Sequence, residues 1–152
     1  MTLTKTRFGL SLDTSGSMRS IARAAASDYN STISSSQVAS AKENQETLVS
    51  VVECGYGRTR WVRTIMNGVN VNSIKPMALQ DYVADGAGTP LFDSVGSLIE
   101  MFETSPDAND PDVSFLVMII TDGAENASLK YNARSIAEKI RTLNNTDRWT
   151  FV

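Results

Sequence analysis

Short apolar runs alternate along this chain with longer stretches whose apolar residues recur at helical spacing. Residues 6–12, built on Phe8-Gly9-Leu10-Ser11-Leu12, read as a strand buried on both faces or nearly so. Met18, Ile21, Ala22, Ala25, Tyr29 and Ile33 then predict a helix from about 18 to about 40. Its second half, Ser31 to Ser40, is rich in serine, which lowers helix propensity and leaves the end poorly defined. Glu46 to Cys54 holds Leu48, Val49, Val51 and Val52, a strand with apolar residues on both faces. Gly55-Tyr56-Gly57 predicts a hairpin turn, and the more alternating Arg58 to Met66 an antiparallel strand at the sheet edge.

Asn67 to Asp85 has little periodicity. Thr89-Pro90 reads as a helix start, a hydroxyl cap followed by proline at the first helical position, where its missing N–H costs nothing. Leu91, Phe92, Val95, Leu98, Ile99 and Phe102 form one face of that helix. Val113 to Ile120 is nearly continuous Val, Phe, Leu, Met and Ile, the pattern of a central parallel strand covered on both faces. Ala133, Ile136, Ala137, Ile140 and Leu143 mark a third helix, and Trp149 to Val152 a last strand. The order predicts one α/β domain over 1–152, a doubly wound, mostly parallel sheet with one antiparallel edge strand. With nothing left to cover the last strand, the expectation is a C-terminally truncated domain.

Composition removes several function classes. A net charge of −3 gives no electrostatic footprint for nucleic acid or an anionic membrane. Arg58, Arg60 and Arg63 form one local basic cluster, alternating with Thr59, Trp61 and Val62, and read as solvated guards on an edge strand. The single cysteine, Cys54, lies in an apolar run and reads as a small buried hydrophobe. No segment has the length of a signal-peptide core or a membrane span, so the expected location is cytoplasmic. The chain has no histidine, which excludes Ser-His-Asp and Cys-His catalysis and every histidine-ligated zinc site. Carboxylates, hydroxyls and backbone groups remain, favouring magnesium, manganese or calcium.

Those groups concentrate at element ends. Asp13, Ser15 and Ser17, two residues apart, leave the end of the first strand and enter the turn before a helix. Asp122 ends the other strongly apolar strand, and Thr89 opens a helix. In a doubly wound sheet the two strands would be neighbours where the strand order reverses, which is where such sheets bind ligands. Two unpaired carboxylates there repel, and a cation between them removes the conflict. Hard oxygen donors of this kind suit a divalent ion such as Mg²⁺. Taken singly, Ser17 and Thr89 are helix caps, Asp122-Gly123 a turn and Asp13 a partner for a helix dipole. Caps alone do not explain why all five occur together.

Asp13-x-Ser15-x-Ser17, Gly86-Ala87-Gly88-Thr89-Pro90-Leu91 and Thr121-Asp122-Gly123 resemble, in order and spacing, the metal-ion-dependent adhesion site of von Willebrand factor A domains. The order of elements matches too, although the family continues with a further helix, strand and helix. The resemblance implies Ser15, Ser17 and Thr89 as hydroxyl ligands, with Asp13 and Asp122 bound directly or through water. It is closest to short intracellular bacterial or phage members, which occur in stress-response and metal-resistance systems and alongside ATPases.

The expected activity is binding rather than catalysis. An ion held mainly by neutral hydroxyls keeps much of its charge and a position for an outside oxygen, so a partner protein's Asp or Glu would complete it. Mg²⁺ is the expected ion, with Mn²⁺ or Ca²⁺ as alternatives. Asp93, Glu125 and Asn126 are expected at the partner-binding rim. Two alternatives are a magnesium-dependent phosphohydrolase using Asp13 and a structural subunit whose site is unused. Against the hydrolase, Ser15 stands where aspartyl phosphatases place a second Asp, and no Walker-type Gly-Lys-Ser/Thr follows a strand.

Overall fold

Five strands form one sheet in the order β3-β2-β1-β4-β5. The structure is a computed structural model that describes residues 4–55, 62–123 and 125–152. The strands are β1 (Thr4–Asp13), β2 (Gln45–Cys54), β3 (Val62–Asn70), β4 (Val113–Ile120) and β5 (Trp149–Phe151), with helices α1 (Ala22–Lys42), α2 (Leu91–Glu103) and α3 (Ala133–Asn144). β1 pairs in parallel with both β2 and β4, β4 pairs in parallel with β5, and β3 runs antiparallel to β2 at the edge.

Topology places the helices and the crevice. The β1-to-β2 crossover moves one way along the sheet and the β4-to-β5 crossover moves the other. Right-handed connections therefore send α1 and α3 to opposite faces. Phe8, Leu10 and Leu12 accordingly pack on Tyr29 and Ile33 of α1, while Val113, Phe115 and Val117 pack on Leu98 and Phe102 of α2 and Ile136 of α3. The carboxyl ends of β1 and β4 are left adjacent, at the point where strand order reverses.

Several local expectations are corrected. The first helix is preceded by a 3-10 turn, Gly16–Ile21, and Ile21 at the junction has φ −121° and ψ 17°. That break in winding turns Ile21 out to solvent, whereas Met18 stays buried. β3 continues to Asn70, through Gly68 at φ +69°, into sequence whose irregular pattern predicts no element. The pairing of β2 with β3 shifts register between Val49 and Val51, which breaks the two-residue alternation. β4 is not covered on both faces. Leu116 and Met118 are half-buried in an open groove of ≈ 480 Å³ beside α1, whose facing Ser31 and Ser35 are too short to fill it. Arg63 is not merely solvated, because it donates to Glu53 of β2 at 2.7 Å. The hairpin residues Tyr56 and Gly57, and Arg58, Thr59, Arg60 and Trp61, lie outside the described residues.

At the opposite end of the sheet Asp107 accepts from Arg7 Nε at 2.6 Å, Lys5 Nζ at 3.1 Å and Ser105 Oγ at 2.9 Å. Burial opposes its charge, but the hydrogen bonds from Arg7, Lys5 and Ser105 outweigh it and hold the carboxyl well below its usual range. A depressed folded-state pKa gives stability that is present above the unfolded value, about 3.9, and is lost as pH falls through the folded one. Asp107→Asn should therefore destabilise the fold by about 1–3 kcal/mol at pH 7. In urea unfolding the gap to the parent chain should narrow steadily below about pH 4.

Candidate metal centre

Asp13 is the last residue of β1 and is fully buried. Its Oδ1 accepts from the Ser15 N–H at 2.9 Å and its Oδ2 from the Thr121 hydroxyl at 2.8 Å. Thr121 Oγ1 in turn accepts from the Gly123 N–H at 3.0 Å, so the loop bearing Asp122 is tied to the Asp13 carboxylate. The Tyr82 hydroxyl donates to the Asp13 carbonyl. Burial pushes the Tyr82 hydroxyl pKa up, and the negative charges of Asp13, Glu53 and Asp122 push it further.

The segment after Asp13 is paired on both sides. Thr14 N–H donates to the Cys54 carbonyl at 3.0 Å, holding it to β2. Gly86 N–H donates to Thr14 O and Gly16 N–H donates to Gly86 O, both at 3.0 Å, an isolated parallel bridge that lays the 84–88 loop alongside. That loop leads into Thr89. Asn126 then clamps Thr89 reciprocally: its Oδ1 accepts from Thr89 N–H at 2.8 Å and its own N–H donates to Thr89 O at 3.1 Å. The three segments found in the sequence are thus hydrogen-bonded to one another.

The capping readings hold for neither Ser17 nor Thr89, and Ser15 caps nothing either. Ser15 occupies the cap position of the 3-10 turn without a side-chain capping bond, and Ser17 lies inside the turn. Their hydroxyls bond each other instead, at 3.1 Å. α2 begins at Leu91 with Pro90 at its cap position, one residue later than the sequence predicts. Thr89 is buried, and among the described residues its hydroxyl has no partner. The exposed Asp122 carboxylate likewise has neither hydrogen bond nor ion pair among the described residues. Cys54 is fully buried, and burial with the nearby Asp13 charge pushes its thiol up to about 12. It is packing, and no reactive thiol.

No protein-family profile and no curated protein matches the sequence. Solved structures do. Proximal thread matrix protein 1 from the mussel byssus superposes at TM-score 0.67 and 18% identity, over 99% of this chain and 37% of its own. A second structure of that protein, described as having a zinc-occupied metal-ion-dependent adhesion site, matches equally, at TM-score 0.67 and 18% identity over the same 99% and 37%. A von Willebrand factor type A structure from Catenulispora acidiphila aligns at TM-score 0.60 and 15% identity, over 99% and 33%. The fold is that of a von Willebrand factor A domain. This chain spans about a third of the length of the chains it matches.

Within the von Willebrand A fold, the expected rim residues have backbone partners. Asp93 accepts from the N–H groups of Leu129 at 2.7 Å, Lys130 at 3.1 Å and Tyr131 at 2.8 Å. Glu125 accepts from Ser128 N–H at 2.8 Å, and Ser128 Oγ accepts from Asp93 N–H at 3.0 Å. With Asn126 on Thr89, all three shape the 125–131 loop from within. Sequence reasoning assigned no task to Thr121 or Tyr82. The signal for Thr121 was present, a hydroxyl one residue before the strand-end aspartate. Tyr82 sits in an aperiodic stretch that carries none.

Proposed function

We propose that this domain is a divalent-metal-dependent protein-binding module whose partner supplies an Asp or Glu carboxylate. The observation that carries the reading is the state of the three hydroxyls. None of the three caps a helix: Ser15 and Ser17 bond each other just after Asp13, and Thr89 follows the loop that pairs with their segment at the strand-order reversal. The donor set fits a small hard cation. The Ser15 and Ser17 oxygens stand 3.1 Å apart, so both could face one such ion. Ser15, Ser17 and Thr89 would hold the ion, and Asp122 has a carboxylate free to join them. Both oxygens of Asp13 already accept hydrogen bonds, which suits contact through water.

When bound, the ion supplies a coordination position for an outside oxygen. The binding reading is favoured over phosphohydrolysis because Asp13 is buried and doubly hydrogen-bonded, a poor arrangement for a nucleophile. Among the described residues no helix is long and apolar enough to cross a membrane. We place the module in the cytoplasm of a bacterium or phage-infected cell, in a stress-response setting. That placement rests on the likeness of Thr89-Pro90-Leu91-Phe92-Asp93 and Asp122-Gly123-Ala124-Glu125-Asn126 to short intracellular members.

The test is capture on the immobilised protein in Mg²⁺. A true partner should elute with EDTA and should not be retained by Asp13→Ala. A partner held through both treatments would sink the metal-bridge reading.

A further inference from the structure

One charged group beside the candidate site has no task in that reading. Arg19 belongs to the 3-10 turn that also carries Ser17, and its side chain is exposed. Its Nε–H donates to the Ala84 carbonyl at 3.1 Å. One Nη lies 3.9 Å from where a Cβ on Gly16 would stand, and Gly16 separates Ser15 from Ser17. Among the described residues Arg19 forms no ion pair.

Two features set it apart from an ordinary surface arginine. The Nε bond ties the guanidinium to the loop whose Gly86 pairs with Ser15, so part of the side-chain ordering cost is met before any partner arrives. The Nη groups left over form the fork that grips a carboxylate. Charge points the same way. Asp13, Asp85, Asp122 and Glu125 all belong to the segments that build the mouth, so a divalent ion leaves it net negative and an incoming carboxylate is repelled. Arg19 is the cation in those segments that offsets this.

We propose that Arg19 is the second anchor for the partner's acidic residue. One carboxylate oxygen goes to the metal position framed by Ser15, Ser17 and Thr89, and the other is held by the Arg19 Nη groups. The inference rests on the metal-dependent reading above and narrows it. The partner group must be an anionic carboxylate, because a neutral carbonyl or amide oxygen gains little from the arginine.

Mn²⁺ and acetate test this without a known partner. Mn²⁺ uptake by the metal-free protein is followed by water-proton relaxation, and acetate is then titrated in to displace metal-bound water. Acetamide serves as the neutral control. The parent chain should bind acetate and ignore acetamide at equal concentration. Arg19→Ala and Arg19→Gln should keep Mn²⁺ affinity within about twofold and raise the acetate dissociation constant about tenfold, the value of one charged hydrogen bond. Arg19→Lys, which keeps the charge and loses the fork, should fall between. Unchanged acetate affinity in Arg19→Ala overturns the proposal, as does failure of acetate to bind the Mn²⁺-loaded parent. Loss of Mn²⁺ binding in both Arg19→Ala and Arg19→Gln also overturns it, since Arg19 would then be a clamp on the metal loops. Failure of the parent chain to take up Mn²⁺ overturns the underlying reading instead, and is seen before acetate is added.

Discussion

Asp13→Asn should abolish divalent-metal binding, lowering affinity by more than about a hundredfold, while leaving the domain folded. The two halves of that expectation have separate causes. Asparagine matches aspartate in shape, so its oxygen can still accept from the Ser15 N–H. Its amide would face the Thr121 hydroxyl, which now donates to Asp13 Oδ2 and already accepts from Gly123. A hydroxyl oxygen has two lone pairs and can accept a second bond by turning its proton away. The local hydrogen bonds are therefore rearranged at a cost of about 1 kcal/mol. The negative charge of the buried carboxylate, one of the two that the candidate site offers a cation, is lost outright.

Thermal unfolding separates these effects cleanly. A ligand at a hundred times its dissociation constant stabilises the folded state by about 2.7 kcal/mol. For a domain of this size that is a rise of about 5–10 °C in Tm. The parent chain should show such a rise on addition of Mg²⁺ or Mn²⁺, and Asp13→Asn should show none. Without metal, the variant should be no more than a few degrees from the parent, because the hydrogen bonds with Ser15 and Thr121 can be re-formed. A metal-induced rise of equal size in both proteins would mean that the ion binds elsewhere.

The segments of the candidate site were legible in the sequence because they sit where elements change. Val113 to Ile120 gave its strand limits without error, since a run buried against neighbouring strands leaves little ambiguity about where polarity begins. The strand-end aspartates followed directly from that. What periodicity could not show is how loops cross. The Ser15–Gly86 bridge joins segments 71 residues apart and leaves no local trace. The same holds for Tyr82 on Asp13 and for the Asn126 clamp on Thr89. Asp93, Glu125 and Asn126 were legible as polar residues near the site. That each would be occupied by backbone N–H groups depended on the path of the 125–131 loop, which no pattern encodes. Ile21 failed for another reason: helical spacing assumes one winding, and a 3-10 turn changes it.

The loop crossing that the sequence hides also carries the largest expected loss of stability, at Gly86. A Cβ built there would stand 1.4 Å from the Gly55 carbonyl oxygen and 3.0 Å from the Gly55 Cα. Gly55 cannot retreat freely, because it holds φ +86° and a Cβ on it would lie 2.2 Å from the Gly88 carbonyl oxygen. On its other side Gly86 exchanges backbone hydrogen bonds with Thr14 and Gly16. Alanine at 86 must therefore either break the bridge to the Asp13–Ser17 segment or push β2's exit away from β1. Either response displaces the 84–88 loop and Thr89 with it. Gly86→Ala should cost more than about 4 kcal/mol, the range reserved for changes with a specific steric cause. That corresponds to a fall in Tm of about 8–16 °C. Metal affinity should fall as well, even where the variant remains folded. Gly123→Ala is the control: Gly123 has φ +100°, but among the described residues no atom beyond its chain neighbours lies within 4 Å of its would-be Cβ. Its substitution should cost only the backbone strain, about 1–2 kcal/mol. Equal losses in the two variants, by calorimetry or denaturant midpoint, would show that the loops do not cross in contact at Gly86.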